Sequence, residues 1–457
     1  MQRWLGIVCV LSWTWTASAV GAEEPPVLTL DEAIEIVLRE NPLSKIASEG
    51  VMAAEQGRMA ARSEFLPKLK TQFQFTSLSE VPQIWLPPQP SIPVINTEGS
   101  VIGGTVPTPS HPLDAGDEQQ LAVRTTLEQP LFTGMALLSK YQLAALDKGE
   151  AGIQEEGTRQ ELIYRTHEAY FGVQVAEKLL DVADQAVAQL ESHAEVARQF
   201  YEAGVIPKND VLKALVKLAD TKQKRIEAVH RLDMARSSFN TLLRRELAAP
   251  VRLKDMLVLN EYGKTMDECR ETALKHNPEV LLADMRIQKA DKGIVLARSG
   301  FFPSIALVGG LLHDEGGFVE SDKIWTAAVQ AQWTVWEWGS TYYRMKQSQV
   351  RKGVAEAYHT QILDTVQLEL RQAYLTLQEC KEAIEVARAS IEQAEENFRI
   401  TEERFKENVS TNTEVLDAQT MLAQAKVNYY SALTTYNIAR ASLEKTMGIL
   451  QAHPKSQ

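Results

Sequence analysis

Hydrophobic residues recur at every seventh position over long stretches of this chain. In one stretch Leu377, Ile384, Ile391, Phe398 and Phe405 form the row, and Cys380, Ala387, Ala394 and Thr401 follow three residues behind. The next stretch continues through Val415, Leu422, Tyr429, Tyr436 and Leu443, accompanied by Ala418, Ala425, Ala432 and Ala439. Such heptads specify left-handed coiled-coil packing, and the small companions let helices approach closely. An earlier pair repeats the pattern through Val173, Leu180, Val187, Ala194 and Tyr201, then Val211, Leu218, Arg225, Leu232 and Phe239, and only Arg225 departs from the rule. A helix from about Thr133 to Ala203 would be roughly 100 Å long, longer than any globular domain. Gly204 and Asn408 mark the turns between paired helices, as residue types that readily take the left-handed conformation ending a helix. Thr411 and Glu414 have the spacing of a capping box that starts the last helix.

Elsewhere the period is two. In "LAVRTTLE", Leu121, Val123, Thr125 and Leu127 face one way and Arg124, Thr126 and Glu128 the other. In "WTAAVQAQWTV", Trp325, Ala327, Val329, Ala331, Trp333 and Val335 oppose Thr326, Ala328, Gln330, Gln332 and Thr334. With Leu69 to Ser77 and Ser304 to Leu312, this predicts two strand pairs, each strand of about the 9 to 11 residues that a tilted strand needs to cross a bilayer. Trp325 and Trp333 point the same way about 27 Å apart along such a strand, which suits an aromatic girdle at each membrane interface. Packing of the two hairpins against each other in a sandwich is the alternative. The polar second face weighs against a sandwich, and four strands are too few to close a barrel, so a membrane-spanning arrangement requires several chains to share one.

The pattern is duplicated. "TLDEAIEIVLRENP" at Thr29 aligns with "TMDECRETALKHNP" at Thr265, and "SEFLPKLKTQF" at Ser63 with "SGFFPSIALVG" at Ser299, all at an offset of 236. "LFTG" ending at Gly134 aligns with "WEWG" ending at Gly339 at 205, and "YEAGVIPKNDVLKA" at Tyr201 with "FKENVSTNTEVLDA" at Phe405 at 204. The first copy therefore carries about 31 extra residues. They fall in a stretch with eight prolines between Val81 and Pro112, which reads as a long surface loop.

These signals divide the chain into a signal peptide at 1–22, a first repeat at 23–245 with its external loop at 81–118, a connector at 246–265, a second repeat at 266–448 and a tail at 449–457. The leader has Arg3, the apolar run "WLGIVCVLSWTW" and small-x-small sites ending at Ala19 or Ala22. The run is too short for a membrane anchor, and Cys9, inside it, lacks the setting for lipid attachment. After the leader, the longest uncharged apolar run, Ser299 to Leu312, has 14 residues and contains Pro303. Any membrane entry must therefore be as strands. The formal net charge of -12 disfavours nucleic acid.

Two repeats of helix, aromatic-proline junction, strand hairpin, long helix, tight turn and return helix resemble the outer-membrane efflux protein family, the TolC-like exit ducts. The resemblance covers essentially the whole mature chain and is most specific at Tyr201 to Ala214, at Phe405 to Ala418 and at the Phe-x-Pro junctions. It implies a mainly α protomer with a small β-barrel contribution: a homotrimer in which three chains give four strands each to a 12-stranded outer-membrane barrel, with an α-barrel continuing across the periplasm. Pro67 and Pro303 would mark where helix becomes strand. The family closes its periplasmic ends like an iris carrying carboxylate rings, and Glu414 and Asp417 match the ring positions, with Asp210 as the acidic partner in the other repeat. Glu414 and Asp210 also suit simple complementation of helix N-termini. Phe405 and Ser410 stand where the family's constriction links use a tyrosine and an arginine. Gly204, Val205, Ile206, Asn408, Val409 and Ser410 become the docking surface for a periplasmic adaptor that couples the duct to an inner-membrane transporter, with outer-membrane lipid around the sheet.

No enzymatic chemistry emerges. Eight histidines occur without a His-x-x-x-His pair, and "YGKT" lacks the upstream glycine of a phosphate loop. Cys269 and Cys380 replace Ala33 and Ala176 of the other repeat, which favours small buried side chains over a nucleophile or metal site, while a disulfide stays open. No cofactor is implied. The competing function is a non-transport envelope scaffold or adhesion stalk, in which Trp325, Val329 and Trp333 would not face lipid.

Overall fold

The computed structural model describes residues 27–88, 97–100, 110–317 and 321–451. The leader, most of the proline-rich stretch and the last six residues lie outside them. Eight helices and six strands follow in order: α1 (Leu30–Glu40), α2 (Pro42–Ser63), β1 (Lys68–Ser77), β2 (Gln83–Leu86), β3 (His111–Asp114), β4 (Gln119–Phe132), α3 (Ala136–Glu202), α4 (Lys208–Leu242), α5 (Met266–His276), α6 (Pro278–Arg298), β5 (Ser304–Glu315), β6 (Ser321–Gln332), α7 (Ser340–Lys406) and α8 (Asn412–Thr446). The long helices match in length across the two copies: α3 and α7 have 67 residues each, α4 and α8 have 35 each. At 1.5 Å per residue, α3 and α7 are each about 100 Å long.

Chain contacts sort these elements into two compact units that cut across the repeats. One takes Met1–Ser44, Arg159–Met266 and Arg371–Gln457, and the other Lys45–Thr158 and Asp267–Leu370.

The second unit holds the sheet, with antiparallel order β1-β4-β5-β6. The hairpins of the two copies meet at β4 and β5. Register brings Thr71, Thr125, Leu311 and Trp325 into one row and Leu69, Leu127, Gly309 and Ala327 into the next. Side chains alternate across a strand, so Phe73, Phe75, Val123, Leu311, Trp325 and Val329 share one face, and Lys70, Gln72, Arg124 and Thr326 the other. Strand β6 ends at Gln332, short of the Val335 expected from alternation. Trp333 therefore sits just past the strand, where its indole donates to the Phe301 carbonyl at 3.2 Å. In the first copy Gln129, at the matching place, donates to the Phe65 carbonyl at 2.9 Å. Each Phe-x-Pro junction is thus held from its own return strand, because proline leaves nearby carbonyls without a regular ladder partner.

Each return strand enters its long helix through two successive left-handed residues, Gly134 and Met135 in one copy and Trp338 and Gly339 in the other. Both the helix starts and these pairs align at 204, not at the 205 that matched glycine to glycine. The glycine has changed places within the pair. Gly134 has a second constraint: a Cβ there would lie 2.7 Å from the Ser299 carbonyl oxygen. Within the proline-rich stretch, β2 and β3 form a short two-stranded ladder, with Pro112 opposite Trp85. The sequence predicted only loop there, and a two-stranded ladder accepts proline because each strand has a free edge.

In the other unit the connector after α4 is strapped to the helices by side chains. Tyr170 donates to the carbonyls of Leu28 at 3.1 Å and Lys254 at 2.8 Å, and Tyr436 to that of Asn260 at 2.7 Å. Asn240 donates to the carbonyls of Leu247 and Ala249 at 3.1 and 2.8 Å. Extended backbone docked on helices needs such partners when it has no sheet. Burial pushes the Tyr170 hydroxyl above its ordinary range, so it stays protonated as a donor. The seam is buried at Leu377, Ile384, Phe405, Val415, Leu422, Tyr436 and Leu443. In α3 the strict heptad drifts: Tyr201 is exposed and the buried stripe passes instead through Val182, Ala186, Leu190 and Ala197. A straight helix of 3.6 residues per turn falls out of phase with a seven-residue repeat. Arg225, the exception in the row, is exposed and pairs with Asp184 of α3.

Candidate functional site at the helix tips

The candidate residues gather where α3 turns into α4 and α7 into α8. The two turns are built alike. Gly204 and Asn408 have φ of 77° and 61°, and the next residues, Val205 and Val409, donate to the carbonyls of Phe200 and Arg404 at 2.8 Å each. Nothing lies within 4 Å of a Cβ added at Gly204, so the left-handed backbone alone favours glycine there. Val205 and Val409 are exposed, whereas Ile206 packs against the tip core.

That core contains Ala194, Ala197, Ala214, Phe405 and Val415, with Phe200, Leu218 and Phe398 beside it. Phe405 is thus enclosed: its ring centroid lies 5.5 Å from that of Phe200 and 4.8 Å from the imidazole of His193. A side chain so placed holds the tip together by packing.

The carboxylates behave differently from one another. Glu414 receives hydrogen bonds from the Ser410 hydroxyl and, at 3.1 Å, from the Thr411 hydroxyl, while its own amide donates to Thr411 Oγ1 at 3.4 Å. The Ser410 bond first, then that of Thr411, holds the Glu414 carboxyl below its ordinary value. Asp210, in the first turn of α4, pairs with Lys213 at 3.3 Å. Asp417 is exposed and lines, with Leu212, Lys213, Val216, Lys217 and Leu416, an open groove of about 750 Å³ on α4 and α8.

Sequence reasoning missed His193 and Asn412. Both are buried, His193 Nε2 is 2.7 Å from Asn412 Oδ1, and Asn412 Nδ2 donates to the main-chain carbonyl of Asp210 at 3.0 Å. The signal was present: His193 lies three residues after Leu190 and four before Ala197, on the buried stripe. Burial lowers the His193 pKa, so the ring is neutral at pH 7.

At the sheet, Trp325 and Trp333 are both exposed, and so are Trp336, Trp338, Tyr342 and Tyr343, a denser aromatic patch than alternation alone pointed to. Among the described residues no helix is long and apolar enough to cross a membrane, and no cluster of metal-binding side chains occurs. Cys269 and Cys380 are both buried, and they fall in different units.

A duplicated set of long paired helices, carrying one shared sheet with an exposed apolar face, defines a membrane-associated helix-and-strand protomer. The chain belongs to the outer membrane efflux protein family, whose model matches residues 33–243 and 270–449. It is 23% identical over 296 residues to the toluene efflux pump outer membrane protein TtgC of Pseudomonas putida, covering 63% of this chain and 60% of that protein. The chain thus aligns with less than two thirds of that relative's length. With the alkaline protease secretion protein AprF of Pseudomonas aeruginosa it shares 22% identity over 449 residues, 94% of this chain and 86% of the relative. Its fold is similar to that of the Campylobacter jejuni CmeC outer membrane channel, with a TM-score of 0.75 and 16% identity over 93% of this chain and 87% of that one.

Proposed function

We propose that this chain is a passive exit duct of the outer membrane, which carries substrates across the periplasm and outer membrane for an inner-membrane pump working through a periplasmic adaptor. The observation that supports it most is the sheet: its apolar face is exposed and its outer strands, β1 and β6, each pair on one side only. In hydrocarbon an unpaired edge leaves main-chain groups without partners, so a four-stranded sheet must be joined by others. Three copies would supply the 12 strands of one barrel. Trp325 and Trp333 would mark its interfaces, the indole of Trp333 keeping a polar partner as such residues do. Family membership supports the same reading.

At the helix tips, three copies of Glu414 and Asp417 would place six carboxylates around one entrance, favouring cations over anions, with Asp210 nearby. Gly204, Val205, Asn408, Val409 and Ser410 would present the tip to the adaptor, and Ile206 would support them from the core.

The test is single-channel conductance of the purified protein in planar bilayers, with Glu414 and Asp417 intact and then both changed to alanine. A cation-selective channel whose selectivity falls in the double variant is expected. Unchanged selectivity would leave a duct whose carboxylates only cap helices, and no insertion would favour an envelope scaffold.

A further inference from the structure

The His193 contact joins parts of the chain that neither repeat joins alone. Asn412 Nδ2 donates to the Asp210 carbonyl, which orients the amide so that its oxygen accepts and His193 Nε2 carries the hydrogen between them. At the repeat offset of 204, Asn397 stands where the first copy has His193, and Lys208 where the second has Asn412. The contact therefore occurs once per chain and runs from the first copy to the second. A buried polar pair is not the cheapest way to fill a seam, since an apolar pair of the same shape would be as stable. What it adds is a single fixed arrangement.

We propose that His193 is a positioning residue for the entrance: through Asn412 it pins the start of α8, which carries Glu414 and Asp417, to the Asp210 turn of α4 within one chain. The inference rests on the duct reading above. It extends that reading by assigning how the carboxylates of the two copies keep a fixed spacing when Phe405 is occupied in the core and Ser410 is bonded to Glu414.

The pin is proton-sensitive. A protonated ring needs a second acceptor, for Nδ1, inside a packed core. The charges that act on the ring come from α7, where Glu402 favours the charged form and Lys406 opposes it, while α8 and α4 meet it through Asn412 and the Asp210 carbonyl. Burial depresses the folded pKa, so the pinned state is complete above the ordinary histidine value of about 6.5 and weakens as pH falls below it.

The experiment compares full-length wild type, His193→Phe, which keeps an aromatic ring without a donor, and His193→Gln, which keeps an amide donor without a proton to gain. Channels are recorded in planar bilayers from neutral to mildly acidic pH. For His193→Phe at neutral pH, the ratio of pinned to released conductance levels should shift about fivefold, the equivalent of one hydrogen bond of about 1 kcal/mol. Wild type should move the same way on acidification, and His193→Gln should match neutral wild type and stay flat with pH. If both variants reproduce the wild-type levels and pH profile while the Glu414/Asp417 double variant loses selectivity, the pin is wrong and the duct stands. If wild type forms no channel, the duct reading fails and the pin with it. Should His193→Phe not fold, the flat or sloping profile of His193→Gln decides.

Discussion

In the sheet the large apolar side chains are the exposed ones, with Phe73, Trp325 and Val329 at 73%, 79% and 67%, whereas at the helix tips Phe405 is 2% exposed and the polar side chains of His193 and Asn412 are buried with it. Both regions come from the same duplication, yet one chain completes only the tips. There the two copies differ, His193 facing Asn412 and Phe405 facing Phe200, and the differences interlock within the chain. In the sheet the two hairpins are aligned side by side, leaving a face and two edges for lipid and neighbouring strands. The tip should therefore respond to core mutations in any environment, and the sheet only where a membrane is present.

Phe405→Ala should have the largest effect. Emptying a buried phenylalanine site costs about 3–5 kcal/mol, and hydrogen exchange should show the α3–α4 and α7–α8 turns opening together while the sheet amides keep their protection. Loss of protection in one turn alone would mean that the hairpins are not joined. Next comes Val329→Arg, on the apolar face of β6. In a bilayer it should cost about 2–4 kcal/mol near the midplane, read from folding into lipid vesicles, whereas Thr326→Arg on the opposite face should cost little. Equal tolerance of both would place the sheet in water. Smaller still, Tyr170→Phe removes the hydroxyl that donates to the Leu28 and Lys254 carbonyls, which keep the Lys254 amide and the Gln174 side chain as donors, so it should cost only about 0.5–1.5 kcal/mol, and thermal unfolding should show it.

What the sequence disclosed follows from the range over which each signal acts. Heptads, alternating strands and the Phe-x-Pro junctions are local periodicities, and they placed α3 and the four sheet strands to within a few residues, whereas the heptad row from Leu377 to Phe405 marked only the later part of α7, which begins at Ser340. The register of β6 with β5 was another matter, because Trp333 continues the alternation but leaves the strand to reach the Phe301 carbonyl. Gly134 and Gly339 were matched as equivalent, yet the left-handed pair can place its glycine first or second. At the tips, Thr411 and Glu414 were legible from spacing, whereas the His193 contact joins residues 219 apart in sequence. No periodicity carries such a pairing. A histidine on a buried stripe reads as core until its partner is seen.

The finest distinction concerns Glu414 itself, which is solvated and yet held by two hydroxyls. Its carboxyl titrates below its ordinary value, with the Ser410 bond as the first cause. Because that pKa is lowered, Glu414 keeps its charge as pH falls through the ordinary carboxylate range and loses it only below. Ser410→Ala should move its titration back up toward the ordinary value, readable by NMR of the labelled carboxyl. A Glu414 titration unmoved by loss of the serine would make Thr411 its only effective partner. The tip turn would then tune the charge of the entrance through the helix cap alone.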